Sequence, residues 1–158
     1  MEIFGECNTE KVLIEILGFK PHHVSGRSRV INKLKRRKNT VGIVDSDPGR
    51  PSPHYMDHFI ENNDLSSKKH GFKVLHDPKN NNWLIVLQPR FEEWIINIAK
   101  AEKVTLKEYS LPEDPDKLHA ILTAKRNERI LKRLLNDLKD SSALRSLKEV
   151  LRKIHYSR

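Results

Sequence analysis

Cysteine is nearly absent from the chain: Cys7 stands alone, so no internal disulfide can form, and with no leader-like opening a reducing, cytoplasmic setting is the expectation. Long apolar runs are missing as well. The strongest, "WLIVL" at 83–87, falls far short of the roughly 20 residues a membrane-spanning helix needs, so a membrane partner is not expected. There is no Gly-rich phosphate loop of the Walker type, which leaves phosphohydrolysis of a small nucleotide without a specific pocket. A zinc protease pair HExxH is lacking too; "HYMDH" sets His54 and His58 at i, i+4, but with no cysteines to join them this is a weak zinc signal.

Charge is plentiful and uneven. Residues 1–44 carry nine Lys/Arg and four Asp/Glu, 45–116 carry nine and thirteen, and 117–158 carry twelve and four. The net charge of +9 therefore sits at the two ends, around an acidic middle. A basic surface gathers polyanions, whereas acids in the same protein repel them. A divalent cation resolves that conflict.

Periodicity alternates between strand and helix. "MEIF" reads as a strand, "NTEKVLIEILGF" as a helix ending at Gly18, "HHVSG" as a brief strand, "RSRVINKLKRRK" as a helix and "TVGIVD" as a strand apolar throughout. "YMDHFIENN" reads as a short helix, and "FKVLHD" and "WLIVL" as neighbouring strands about the turn "PKNNN". Helices follow: "RFEEWIINIAKAEK", then beyond the connector "YSLPEDPDK" the stretch "LHAILTAKRNERILKRLLNDLK", as one long helix or two, and "ALRSLKEVLRKI". This order predicts an α/β fold with a mostly parallel sheet flanked by helices, residues 1–110, and a basic helical extension, 111–158, packed on it.

In parallel sheets, ligands gather at the carboxyl ends of the strands. Glu6 follows the first strand, and "VGIVDSDPGR" delivers Asp45 and Asp47 from another, so three acids are expected at one edge. Carboxylates that close resist joint ionisation unless a cation lies between them. Magnesium or manganese fits, being an oxygen-seeking ion that uses carboxylates together with substrate phosphates.

These residues resemble the TOPRIM (topoisomerase/primase) domain, in its small stand-alone form, over about residues 1–100. "IFGECNTEKVL" and "VGIVDSD" occupy the places of that family's glutamate and D-x-D, here with Gly5 before the acid rather than after it. The resemblance implies metal binding and catalysis by Glu6, Asp45 and Asp47. Glu10, on the first helix, and Glu92, in "FEEWII", match further acidic positions and are added candidate ligands. Zinc modules of primases and the length of a topoisomerase are lacking, which leaves metal-dependent phosphodiester cleavage, nuclease-like and in defence or nucleic-acid processing, as the implied activity.

Nucleic acid, DNA or RNA, is the expected partner. "SGRSR" and the helix after it offer Arg27, Arg29, Lys33, Arg36 and Arg37, and "TAKRNER" offers Lys125, Arg126 and Arg129. Trp83 and Trp94 lie in apolar periodic stretches and are expected in the core. The alternative is a non-catalytic module that binds nucleic acid or protein, its C-terminal helices docking on a partner or a second copy.

Overall fold

The computed structural model describes residues 1–47, 49 and 53–156. Strand β1 (Glu2–Gly5), helix α1 (Asn8–Ile16), strand β2 (Pro21–His23), helix α2 (Arg27–Lys35) and strand β3 (Thr40–Asp45) follow in order. A 3₁₀ turn (His54–His58) leads to the two-residue strand β4 (Ile60–Glu61) and the hairpin of β5 (Phe72–Asp77) with β6 (Asn82–Leu87). Helices α3 (Phe91–Ala101), α4 (Pro115–Leu122), α5 (Glu128–Leu138) and α6 (Ser142–Tyr156) complete the chain.

Six strands form one mixed sheet in the order β2-β1-β3-β6-β5-β4. The four on one side run parallel to each other, while β5 pairs antiparallel with both β6 and β4. Alternate residues of each strand feed opposite faces, as the pleat requires. Ile3, Val41, Ile43, Trp83, Ile85 and Leu87 pack under α1 and α3–α6, whereas Phe4, Val44, Leu84 and Val86 pack under α2 and Tyr55. One face is thus thickly covered and the other thinly. Leu134 and Leu138 of α5 and Leu147 and Leu151 of α6 join the same core as the sheet, so residues 111–158 and 1–110 share one interior.

On the thin side the fit leaves no spare room. A Cβ at Gly42 would lie 2.7 Å from a Val30 methyl and 3.0 Å from one of Leu84. Gly42→Ala is therefore expected to cost about 1–3 kcal/mol, read from denaturant melts, because helix α2 must back away. A second tie between α2 and the sheet is buried Asn82. It accepts from the Thr40 amide (3.1 Å) and hydroxyl (2.9 Å) and donates to the carbonyls of Leu34 (2.8 Å) and Arg37 (2.9 Å).

Two details differ from the sequence expectation, and between them the choice of one long helix or two is settled. "YMDHFIENN" is not one helix, for Phe59 is extended and Ile60–Glu61 pairs with β5. The long helical stretch is two helices: "TAKRNER" breaks the apolar stripe, Ala124 is extended, and Lys125–Asn127 makes a single 3₁₀ turn. Helix α4 starts inside the supposed connector, where Asp114 caps the Lys117 amide (2.9 Å) and Pro115 takes the first helical position. Among the described residues, no helix is long and apolar enough to cross a membrane.

Candidate metal centre

Strands β1 and β3 are parallel neighbours with Gly5 opposite Ile43, so their carboxyl ends leave the sheet side by side. The Glu6 amide extends the ladder by donating to the Ile43 carbonyl (3.2 Å), and the Glu6 carboxylate turns back to accept from the Asp45 amide at 2.9 Å. Arg27, at the start of α2, donates to the Asp45 carbonyl at 3.2 Å. From the other side the Phe91 amide, one of the unpaired donors at the N-terminus of α3, donates to Asp45 Oδ1 at 3.0 Å. Three elements therefore fix Asp45 in place.

Glu10 arrives from α1. One of its carboxylate oxygens, Oε2, closes the helix start by accepting from the Cys7 amide (3.1 Å), the Cys7 thiol (2.5 Å) and the Thr9 hydroxyl (3.0 Å). The other, Oε1, is buried and has no partner. Gly5 makes this approach possible, since a Cβ there would sit 3.1 Å from Glu10 Cβ and from the Lys11 amide nitrogen. One oxygen from each of Glu6, Glu10 and Asp45 lies within 4.8 Å of the other two.

Such crowding has an electrostatic cost. Burial, followed by the Glu10 carboxylate and its hydrogen bond, and then Glu6 and Glu92, pushes the Asp45 carboxyl up to about 9. Burial likewise raises Glu6. Without a cation the Asp45 carboxyl keeps its proton well above the ordinary carboxylate range. The same environment, burial first and Glu10 second, pushes the Cys7 thiol up, which makes Cys7 a poor nucleophile.

The donor set suits a hard divalent ion. It is all oxygen, it is fixed by backbone amides, and it contains a buried carboxylate oxygen lacking any partner. Glu6, Glu10 and Asp45 would hold magnesium or manganese.

Other acids named from the sequence fall at different distances from this centre. Asp47, two residues past Asp45, is not one of the three clustered groups. Glu92, at the second position of α3, is only 2% exposed, and its Oε1 pairs with His119 Nδ1 at 2.8 Å while Oε2 is buried without a partner. It stands near enough to act on the charge of Asp45. His54 and His58 join no cluster of three metal-binding groups among the described residues.

The basic residues divide similarly. Arg29, Lys33 and Arg36 line one cavity of about 450 Å³ together with His23 and Ser25. The loop forming its wall reaches the acids, because the Gly26 amide donates to the Glu6 carbonyl at 2.9 Å. Arg37 points elsewhere, paired with Glu2 at the opposite end of β1 and set over the Phe4 ring. Lys125, Arg126 and Arg129 are exposed at the α4–α5 junction. Trp83 and Trp94 are buried, Trp83 stacked on His76 with ring centroids 3.8 Å apart.

His119 escapes notice in the sequence. It sits 27 residues from Glu92, and only the packing of α4 beside α3 brings them together. No protein-family model, curated protein or solved structure matches the chain.

Proposed function

We propose that the protein is a TOPRIM-type nuclease that uses magnesium or manganese to cleave phosphodiester bonds in nucleic acid. The observation that carries this is the convergence of Glu6, Glu10 and Asp45 at one sheet edge, with a buried carboxylate oxygen unpartnered. A bound divalent ion supplies charge neutralisation at the phosphate and a more acidic water. Asp45 and Glu6 contribute fixed negative oxygens, already oriented by the Phe91 and Asp45 amides, so little reorganisation is needed as substrate arrives.

Arg29, Lys33 and Arg36 hold the strand's phosphates in the neighbouring cationic cavity. Arg27 keeps the Asp45 backbone in place. The Glu92–His119 pair flanks the acids and orients the imidazole through Nδ1.

The test is a cleavage assay on mixed single- and double-stranded DNA and RNA with magnesium or manganese. Wild type is expected to form product, and Asp45→Asn to lose at least about a hundredfold in rate while still folding. Equal rates for the two proteins would overturn the proposal. The exposed cations of α2 and of the α4–α5 junction favour one other function, a non-catalytic binding module. Salt-sensitive binding that persists with chelator, with no product under any condition, would favour that instead.

A further inference from the structure

We propose that a second cavity, on the other side of Asp45, receives one unpaired nucleotide of the strand being cut. This extends the nuclease proposal by naming the form of the substrate. The cavity has a volume of about 630 Å³, within the range of sites that enclose small ligands. It adjoins the acids through the chain itself. Ser46, which follows Asp45, lines it, as do Gln88 and Pro89, just before the Phe91 amide that holds Asp45.

Its chemistry is that of a base with a phosphate attached. Trp94, Ile98 and Ala143 give an apolar lining, while the amides of Gln88 and Asn97 supply both donors and acceptors. Lys68 and Lys69 are exposed on the turn that forms one wall. Glu102 is the single carboxylate among the lining residues, and its Oε1 is engaged by the Ser142 amide at 3.4 Å.

The lysine-bearing turn is held ready. The Trp94 indole donates to the His70 carbonyl (2.8 Å), the Gln88 amide donates to the Gly71 carbonyl (2.9 Å), and Ser67 Oγ lies 3.0 Å from His70 Nδ1. Gly71 has φ +74°, and a Cβ there would meet Trp94 at 2.8 Å. His70, which lines the cavity, keeps its Nε2 buried with no hydrogen-bond partner. A base in a duplex is stacked and paired, so its edge and faces are not offered to such a cavity; an unpaired one can enter.

Trp94 provides the readout. The chain has two tryptophans, so Trp83→Phe leaves Trp94 as the sole reporter. This variant is titrated in EDTA with a single-stranded 12-mer, the matching blunt duplex, 5′-dAMP, deoxyribose 5-phosphate and inorganic phosphate. Saturable quenching is expected with the single strand, at least tenfold tighter than with the free nucleotide, and none with the duplex or the base-free phosphates. Adding Ala101→Phe, an exposed position on the cavity wall, is expected to weaken the strand at least tenfold. Lys68→Ala with Lys69→Ala is expected to weaken it severalfold and to make its affinity fall less steeply with salt.

Equal quenching by base-free phosphates, equal affinity for duplex, dAMP as tight as the strand, or no effect of Ala101→Phe would each overturn the proposal. Because no metal and no turnover are involved, its failure would leave the cleavage assay with Asp45→Asn unaffected. Loss of cleavage with nucleotide binding intact would conversely condemn only the nuclease proposal.

Discussion

Glu10→Gln is expected to lower the affinity for manganese at least a hundredfold and, in the absence of metal, to raise the melting temperature by several degrees. Both effects have one origin. Glu10 brings a fully buried carboxyl group to within 4.8 Å of Glu6 and Asp45, a crowding of acids that a cation in the same space relieves. The amide of glutamine retains an acceptor for the Cys7 amide, so the start of α1 survives. It removes the repulsion, worth about 1–3 kcal/mol of stability, along with most of the attraction for the ion. Calorimetric titration and chelated thermal melts on the same samples give the two numbers. Asp47→Asn, outside the cluster, is expected to change the affinity less than Glu10→Gln; the reverse order would move the centre of the site toward Asp47.

Acidity should work on the metal-free protein in the direction opposite to most acid-rich sites. Asp45 titrates near 9 in the folded chain against an ordinary value of 3.8, so between those limits the folded state keeps a proton that the unfolded state has released. Stability therefore falls as pH rises from about 4 to about 9, by at most about 1.4 kcal/mol per pH unit from this group. Glu6, also raised, adds to the fall at the acidic end. Glu93 acts the other way: Arg90 holds it below its ordinary value, so its contribution is present above that range and is lost only as pH falls below about 4.5.

A bound ion must displace the proton on Asp45, so magnesium affinity should climb with pH, by up to about tenfold per unit below pH 9. Thermal melts from pH 5 to pH 9, in EDTA and in excess magnesium, are expected to converge at the acidic end and to diverge toward the basic end. Asp45→Asn should flatten the chelated curve. A chelated protein that gains stability from pH 6 to pH 9 would show that Asp45 is ionised without metal.

The alternation of strands and helices was legible because β1, β3, β5 and β6 are apolar at period two or throughout and the helices carry a stripe at 3.6. The β5–β6 hairpin was legible from "PKNNN" between two apolar runs. Strand β4 was not, since two exposed residues carry no periodic signal and owe their conformation to pairing with β5. Within the site, position after a strand was enough to bring Glu6 and Asp45 together. Spacing alone favoured Asp47 over Glu10, but the close approach of the start of α1 to Gly5, a matter of packing, puts Glu10 in the cluster. His119 depended on the packing of two helices and left no local trace.

The pairing of β3 with β6 across a long intervening segment also sets an order of events in time. Asp45 leaves the ribosome 46 residues before Phe91, whose amide orients it, a delay of roughly 2–9 s at ordinary rates of synthesis. Glu6 and Asp45 can meet early, when β1 and β3 pair. Their geometry is finished only when α3 has been made. A nascent chain thus carries its acids for some seconds before the amide that orients Asp45 is available.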